Sequence, residues 1–274
     1  MVSGGVNAHP APDLAGMDKT FALITGASSG IGYQFARELG SRGYGLVVVS
    51  NEGAPLSEKA WILRKDFGID VAEVVMDLGV QSAASELYRF CSERNYEVEV
   101  LVNNAGVYHD RDFLDDSEEF NSMILNLHVH TPAMLEYYFG KEMSACGRGY
   151  ILNVSSVTSS MAIQRLSTYS ATKAFLRNFS RSTHIELSGK GVTVTCVRPG
   201  AVATGLYNLK PSALKAGLAL GYIITPEKLA RKAVGAMFRG RAQITPGLSS
   251  KLLAVLVAII PTGLLKLIRR IHIF

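Results

Sequence analysis

The stretch Thr25-Gly26-Ala27-Ser28-Ser29-Gly30-Ile31-Gly32 links a short apolar run at residues 21–24 to an amphipathic run at residues 34–42. Its glycines allow a tight turn, and they let backbone amides approach a pyrophosphate at the N-terminus of a helix. The spacing is G-x-x-x-G-x-G rather than the better-known G-x-G-x-x-G. A glycine loop alone is often only a turn, but its place between a strand and a helix predicts a nucleotide-binding unit.

Strand-like and helix-like runs alternate outward from this loop. Runs rich in Val, Ile and Leu predict buried strands at residues 21–24, 45–49, 71–76, 98–102, 150–154, 192–197 and 242–244. Amphipathic runs predict helices at residues 34–42, 56–67, 83–94, 120–143, 169–188 and 226–239, the fourth interrupted near Pro132. The alternation implies right-handed crossovers and a parallel sheet covered on both faces. The predicted fold is a single doubly wound α/β domain with its ligand site at the carboxyl ends of the strands.

The composition fits one such domain and excludes several other classes of protein. The chain has 274 residues, 48% of them hydrophobic and 19% charged, so a sizeable core can form. A net charge of +5 with scattered basic residues argues against a nucleic-acid partner. Cys91, Cys146 and Cys196 lie far apart, which argues against a disulfide framework or a zinc cluster and suits the cytoplasm. His128 and His130 alternate with apolar residues, so we predict a structural role for them and no metal site.

Both ends of the chain differ from the predicted domain, which spans residues 18–247. Residues 1–17 are rich in Gly, Ala and Pro and lack the layout of a secretory signal, so we predict a flexible extension. Residues 252–265 are uncharged. After them, the basic residues Lys266, Arg269 and Arg270 lie among apolar residues up to the end of the sequence. This run is shorter than the roughly 20 residues that span a bilayer, so residues 248–274 predict an amphipathic tail that contacts a membrane surface through residues 250–274. A terminal helix docked on the fold or on a second subunit explains the pattern equally well.

Tyr169 and Lys173 fall one helical turn apart on the same face of the helix predicted at residues 169–188. The positive charge of the ammonium favours the phenolate, which we expect to lower the tyrosine pKa toward a value useful for proton transfer near neutrality. Because Tyr–Lys pairs at this spacing usually lie on a solvated helix face, the role of this pair has to be judged from the residues that accompany it.

Ser156 and Asn126 accompany the pair. Ser156 ends the fifth predicted strand, and its hydroxyl can donate to a carbonyl oxygen that the tyrosine protonates. Most hydroxyls in the run Ser155-Ser156-Val157-Thr158-Ser159-Ser160 must instead serve the loop itself. Asn126 is polar inside an apolar helical run, where it is either a satisfied core amide or the holder of a water molecule.

Two more polar turns follow predicted strands. Asn103-Asn104-Ala105-Gly106 follows the fourth strand, where small residues let the chain pass close to an adenosine and an Asn amide can bond both ribose and backbone. Arg198-Pro199-Gly200-Ala201-Val202-Ala203-Thr204 follows the sixth strand and offers a hydroxyl to a coenzyme amide or phosphate. In isolation each stretch is an ordinary turn.

Together these motifs resemble the short-chain dehydrogenase/reductase family from Lys19 to about Thr245, in the family's common form of about this length. The resemblance implies a Rossmann-like sheet, a homo-oligomer, and a nicotinamide-dependent oxidoreductase that moves hydride between its coenzyme and a ketone or secondary alcohol. It implies Tyr169 as the general acid/base and Lys173 as the residue that binds the nicotinamide ribose. It also implies that Ser156 holds the substrate oxygen and that Asn126 anchors the water of a proton relay. The coenzyme-binding positions that it implies are Gly26, Ser28, Ser29, Gly30, Ile31, Gly32, Ser50, Asn51, Asp77, Leu78, Asn104, Ala105, Gly106, Tyr169, Lys173, Pro199, Gly200, Val202 and Thr204.

The end of the second strand, Ser50-Asn51-Glu52, bears on the choice of coenzyme. In the family resembled, NAD forms usually place Asp where this chain has Ser50, and NADP forms often place Arg where it has Asn51. Because no acid at Ser50 excludes a 2′-phosphate, the sequence favours NADP(H). Glu52 would reverse this preference if its side chain turned back to the ribose.

Residues 205–225 lie where the family carries a substrate lid, and they are unusually apolar. Such a lid predicts a lipophilic ketone or alcohol, unless it only packs on the core or on another subunit. The tail is similar to that of reductases of long-chain lipid ketones such as 3-ketosphinganine, so a sphingoid, steroid or long-chain acyl ketone is expected in a cytoplasmic, membrane-associated setting. The alternative is a catalytically silent nucleotide sensor or membrane-associated interaction protein. The intact set of four catalytic candidates favours the enzyme.

Overall fold

A computed structural model describes residues 20–204, 215, 217–218, 220, 222–247 and 249–250 of the chain. Its strands are β1 (Thr20–Thr25), β2 (Gly45–Ser50), β3 (Val71–Val75), β4 (Glu97–Asn103), β5 (Gly149–Val154), β6 (Val192–Val197), β7 (Ala201–Val202), β8 (Ile223–Ile224) and β9 (Gln243–Ile244). Its α-helices are α1 (Gly30–Gly40), α2 (Gly53–Phe67), α3 (Ala83–Ser92), α4 (Glu118–Leu125), α5 (Thr131–Cys146), α6 (Ser167–Ser188) and α7 (Pro226–Phe238). Two 3₁₀ turns, Phe113–Asp115 and Val157–Ser160, and one π turn, Asn126–His130, complete the described elements.

Seven strands form one parallel sheet in the order β3-β2-β1-β4-β5-β6-β9. The order reverses between β1 and β4, so the connections on the two sides of this point diverge and leave a crevice at the carboxyl ends of the strands. The predicted doubly wound α/β fold is therefore confirmed. The short strands β7 and β8 form a separate parallel pair, in which Ala201 pairs with Ile223 and Val202 pairs with Ile224.

The sheet is covered on both faces, and the alternating side chains of β1 show how. Ala22 and Ile24 belong to the core that includes buried residues of α1, α2 and α7. Phe21 and Leu23 belong to the core that includes buried residues of α3 and α5. Because successive strand residues point to opposite faces, these two cores lie on opposite sides of the sheet. Burial of each large aliphatic side chain contributes about 1.5–3 kcal/mol, so both layers help to fix the strand ends that form the crevice.

The helix predicted over residues 120–143, with an interruption near Pro132, is divided by a π turn. A π turn separates α4 from α5, and the Thr131 N–H donates to the carbonyl of Asn126, five residues back. Pro132 stands in the first turn of α5, directly after the π turn, and α5 continues from it to Cys146. The interruption therefore lies at Asn126–His130, just ahead of the proline.

Several predicted segments fall wholly or mostly outside the described residues. They are the N-terminal extension at residues 1–17, much of the lid at residues 205–225, and the tail at residues 248–274 apart from Ser249 and Ser250. In the part of the chain that the structure describes, no helix combines the length and apolar character needed to cross a membrane. In the same part, no three His, Cys, Asp or Glu side chains cluster in a way that could hold a metal ion.

Candidate active site

A cavity of about 630 Å³ opens at the carboxyl ends of the strands, where the strand order reverses. Every residue that the sequence analysis assigns to coenzyme binding lines it. These residues are Gly26, Ser28, Ser29, Gly30, Ile31, Gly32, Ser50, Asn51, Asp77, Leu78, Asn104, Ala105, Gly106, Tyr169, Lys173, Pro199, Gly200, Val202 and Thr204. Ser156 also lines the cavity, so three of the four catalytic candidates share its wall with the predicted coenzyme site.

The glycine loop forms the start of this wall, and its backbone admits no side chain at Gly32. A Cβ there would lie 1.9 Å from the carbonyl oxygen of Gly26, which itself has a left-handed φ of +68°. Asn104 holds the same turn from the end of β4, since its Nδ2 donates to the carbonyls of Thr25 at 2.9 Å and Gly26 at 3.2 Å. The two motifs therefore form one hydrogen-bonded unit, with the N-terminus of α1 beside it, a suitable place for a pyrophosphate.

Lys173 is buried beside Tyr169. Its Nζ lies 5.7 Å from the centroid of the tyrosine ring and donates to the carbonyl of Val154 at 3.1 Å. The hydroxyl of Ser155 fixes the backbone of the same helix by donating to the Lys173 carbonyl at 2.7 Å. Burial lowers the pKa of Lys173 to about 8, so the ammonium is the main form at neutral pH.

Ser156 begins the 3₁₀ turn that follows β5. Its Oγ accepts from the N–H of Thr158 at 3.2 Å, and no acceptor for its own hydroxyl hydrogen is found among the described residues. The turn is supported from behind, because Ser159 donates to the Ser156 carbonyl at 2.5 Å and the guanidinium of buried Arg198 donates to Ser159 at 3.1 Å. The Ser156 hydroxyl is thus held by backbone contacts while remaining able to donate.

Asn126 occupies a different position from the other three catalytic candidates. It is half-buried, it is the first residue of the π turn, and it is not among the residues that line the cavity. Met123 and Leu127, on the same helical segment, do line it. The structure therefore places Asn126 close to the site along the chain without bringing its side chain into the cavity wall.

Glu52 also lines the cavity, although the sequence analysis did not assign it to coenzyme binding. Its carboxylate turns back over the glycine loop and accepts from the hydroxyl of Ser28 at 2.8 Å. Ser50 links the same groups, since its hydroxyl donates to Ser28 Oγ at 3.0 Å and accepts from the Glu52 N–H at 3.1 Å. The other unassigned lining residues are Met76, Val107, Met123, Leu127, Val154 and Ser155. Of these, Met76, Val107, Leu127 and Ser155 directly adjoin predicted positions, which was the available signal.

An apolar group of side chains packs around Tyr169. The ring of Tyr108 meets the Tyr169 ring edge-on, with centroids 5.4 Å apart. The buried members of the cluster are Ile124, Leu166 and Tyr169, and partly buried Val107, Tyr108, Phe120 and Ile163 pack against them. The β7–β8 pair, whose Val202 lines the cavity, joins both ends of the segment predicted as the lid, since the Ala203 N–H donates to the Ile224 carbonyl at 2.9 Å.

Comparison with known proteins agrees with this geometry. A family model described as short chain dehydrogenase matches residues 20–214. The chain belongs to this family. Its relatives are named oxidoreductases, and the chain is an enzyme that acts on alcohol or carbonyl groups with NAD(P).

Two vertebrate relatives and one solved structure illustrate the likeness. A very-long-chain 3-oxoacyl-CoA reductase of Anas platyrhynchos is 31% identical over 220 residues, which cover 78% of this chain and 68% of the relative. Very-long-chain 3-oxoacyl-CoA reductase-A of Danio rerio is 28% identical over 198 residues, covering 71% of this chain and 61% of the relative. A short-chain dehydrogenase from Sphingobium yanoikuyae, solved in complex with NADPH, superposes with a TM-score of 0.75 at 27% identity, covering 90% of this chain and 95% of that one. The chain thus spans only about two thirds of the length of the two reductases.

The residues of this short-chain dehydrogenase fit a nicotinamide dinucleotide on their own chemistry. The loop at Gly32 leaves room only for backbone, the adjoining helix N-terminus suits a pyrophosphate, and Lys173 supplies a buried cation at the opposite end of the cavity.

Proposed function

We propose that this short-chain dehydrogenase reduces the carbonyl group of a lipophilic ketone, with Tyr169 as the proton donor. The observation that carries the proposal is that Tyr169, Lys173 and Ser156 share the wall of the coenzyme cavity, with the Lys173 ammonium packed against the Tyr169 ring. A proton donor, a buried cation and a hydroxyl donor beside a coenzyme cavity are the groups that carbonyl reduction requires.

Each of the three side chains has a distinct task in this mechanism. When bound, the coenzyme supplies the hydride that the protein itself cannot provide. Ser156 donates its free hydroxyl hydrogen to the carbonyl oxygen of the substrate and stabilises the negative charge that develops there. Tyr169 protonates that oxygen, and Lys173 favours the phenolate that remains through its positive charge.

The proposal assigns Asn126 and Lys173 to the return of the proton. Asn126 belongs to the helical segment that also supplies the cavity residues Met123 and Leu127, and Lys173 lies beside Tyr169. In the proposed relay, Asn126 holds a water molecule and Lys173 conducts the proton from it toward Tyr169. Asn126→Ala is then expected to lower kcat while leaving the affinity for the coenzyme unchanged.

The charges in the cavity support NAD(H) over the NADP(H) that the sequence favours. Among the described residues that line the cavity, Lys173 is the one basic side chain, and it lies at the catalytic end. At the β2 end the carboxylate of Glu52 stands over the glycine loop, where it can accept from a ribose diol and would repel a 2′-phosphate. The NADPH of the Sphingobium structure belongs to a chain that is only 27% identical, so this choice depends on the residues present here.

The substrate side of the cavity supports a lipophilic molecule. Val107, Met123 and Leu127 line the cavity, and the cluster around Tyr108 and Phe120 extends the apolar surface past the catalytic tyrosine. Pockets of this composition bind apolar ligands and use a few polar groups to orient them. The two relatives are named for very-long-chain 3-oxoacyl-CoA, so a long-chain 3-oxoacyl thioester is the first substrate to test.

Exchange of Tyr169 for Phe tests the reaction. Tyr169→Phe removes the phenolic proton and keeps the ring, so we expect loss of turnover with long-chain 3-oxoacyl and steroid ketones while NADH and NADPH still bind. Fluorescence of the bound dihydronicotinamide measures that binding independently of turnover. Tyr137→Phe, an exposed tyrosine on α5, is the matched control. Turnover by Tyr169→Phe at the wild-type rate would refute the assignment.

We also propose that the protein is a cytoplasmic homo-oligomer. Its residues 250–274 would make a peripheral contact with a membrane surface. The support is their sequence pattern of apolar and basic residues, which suits the surface of an anionic bilayer. Co-sedimentation with phosphatidylserine vesicles, with and without these residues, tests the contact, and equal pelleting of both forms removes it. Sedimentation velocity of the same two forms tests whether the tail serves a second subunit instead.

A further inference from the structure

His128 connects the two walls that meet at the catalytic end of the cavity. The imidazole is 1% exposed and lies in the π turn. On one side its Nε2 lies 3.0 Å from the backbone N–H of Val107, in the segment that follows β4. On the other side its Nδ1 lies 3.1 Å from the hydroxyl of Thr172 on α6. Thr172 in turn donates to the carbonyl of Tyr169 at 2.8 Å.

The directions of these hydrogen bonds fix one form of the ring. A backbone N–H can only donate, so the Nε2 of His128 accepts and carries no proton. The hydroxyl of Thr172 already donates to the Tyr169 carbonyl, so it accepts from the Nδ1–H of His128. All three contacts are satisfied together only by a neutral imidazole with its proton on Nδ1.

The surroundings of the ring favour the same neutral form. His128 meets the ring of Tyr169 edge-on, with centroids 5.8 Å apart. A Cβ added to Gly106 would lie 2.8 Å from His128 Nε2 and 3.5 Å from Lys173 Nζ, so both side chains approach the same short stretch of backbone. Burial, and then the nearby Lys173 charge, hold the pKa of His128 well below its usual value. The titratable groups that face the ring are Tyr169 and Lys173, both from α6.

We propose that His128 is a positioning residue, which fixes the Gly106–Val107 segment of the coenzyme wall relative to the helical turn that carries Tyr169 and Lys173. Its neutral ring bonds both walls and adds no second positive charge beside Lys173. Protonation of Nε2 would place an N–H against the Val107 N–H and break the link to the coenzyme wall. The inference rests on the proposed function for its catalytic consequence, but the state of the ring does not depend on any reaction.

The first arm of the test observes the ring directly. We expect the ¹⁵N spectrum of histidine-labelled protein to show one imidazole with a protonated Nδ1 and an unprotonated Nε2, unchanged from about pH 5.5 to 8. The signal is assigned by its absence from His128→Gln. An imidazole protonated on Nε2, or one that titrates within this range, would overturn the proposal whether or not the protein reduces ketones.

The second arm uses Thr172 to interrupt the link without touching the ring. Thr172→Val keeps the shape and removes the hydroxyl, whereas Thr172→Ser keeps the hydroxyl. We expect Thr172→Val and His128→Gln to lower kcat roughly 10²-fold through misplacement of Tyr169, with a smaller change in KM. Thr172→Ser should restore most of kcat, and His130→Gln, the same exchange two residues away in the same π turn, should leave kcat unchanged.

Comparison of the arms separates this inference from the proposed function. Thermal unfolding of each variant identifies a general loss of folding, which would lower kcat and the melting temperature together. If the wild-type protein does not reduce ketones but its His128 ring is neutral and protonated on Nδ1, the proposed function is refuted. The link between the two walls then still stands. Equal kcat values for Thr172→Val, Thr172→Ser and wild type would show that the link does not position Tyr169.

Discussion

The carboxylate of Glu52 accepts a hydrogen bond from the hydroxyl of Ser28 at 2.8 Å, which joins the end of β2 to the glycine loop. The bond places a negative charge in the cavity wall at the position where the adenosine ribose of a dinucleotide is expected. We therefore expect these two residues, 24 positions apart in the chain, to determine together how the cavity meets a 2′-phosphate.

Removal of this charge should change the choice of coenzyme. In Glu52→Gln the amide can still bond Ser28 but no longer repels a phosphate, so we expect the ratio of the NADPH to the NADH dissociation constant to fall about tenfold, which is ~1.4 kcal/mol. Fluorescence titration with each coenzyme measures the ratio. Glu58→Gln, on the exposed face of α2, is the control and should leave it unchanged. An unaltered ratio in Glu52→Gln would assign coenzyme choice to another residue.

A methyl group at Gly32 should weaken coenzyme binding. In Gly32→Ala the new Cβ would stand 1.9 Å from the Gly26 carbonyl oxygen, so the loop must move away from the pyrophosphate. We expect the dissociation constant for NADH to rise by at least tenfold in calorimetric titration. Gly189→Ala has no atom within 4 Å of the added Cβ and is the matched control. Wild-type affinity in Gly32→Ala would mean that the coenzyme does not approach this loop.

The affinity for the coenzyme should fall as the pH rises through about 8. Lys173 has its pKa lowered to about 8 by burial, so the free enzyme loses the ammonium above that pH. A neutral amine bonds the nicotinamide ribose more weakly than a charged one, and we expect a loss of roughly tenfold between pH 7 and pH 9.5. Titration of NADH binding across this range measures it. Lys173→Met should bind more weakly at pH 7 and show a flat profile, and a sloping profile in that variant would assign the ionisation to a different group.

Glu136 should make the fold less stable as the pH rises. The side chain is buried, and burial raises the pKa of its carboxyl group, while Asn153 Nδ2 donates to its Oε2 at 2.8 Å. A raised pKa in the folded state means that the native protein holds the proton more tightly than the unfolded chain. This contribution to stability is therefore full below the ordinary carboxyl pKa and is lost as the pH rises through the folded-state pKa.

An amide at Glu136 removes this dependence on pH. Glu136→Gln keeps an acceptor for Asn153 and is never charged, so we expect it to exceed the wild type in free energy of unfolding by on the order of 1 kcal/mol at pH 8. The difference should shrink toward zero near pH 5. Urea denaturation at both pH values measures it, and Glu142→Gln, exposed on the same helix, is the control. A constant difference at both pH values would mean that Glu136 does not titrate with folding.

Local patterns in the sequence determined the architecture and most of the cavity. Short apolar runs and amphipathic runs alternate, and such periodicities specify buried strands and packed helices with little help from distant residues. The loop at Gly26–Gly32 and the four-residue spacing of Tyr169 and Lys173 are equally local, since a turn and one helical repeat set their geometry. Because parallel strands place their carboxyl ends at one edge, the order of the motifs was enough to collect them in a single cavity.

Only the tertiary structure decided the relationships that depend on residues far apart in the chain. Glu52 meets Ser28, and His128 bonds both Val107 and Thr172, through side-chain directions that no local pattern specifies. The π turn that carries His128 lies between α4 and α5, and apolar periodicity over residues 120–143 does not reveal it. Sequence alone thus determined most of the residues that meet at the end of the sheet. Folding decided which of them bond, because a hydrogen bond depends on ångström-scale placement that spacing along the chain does not fix.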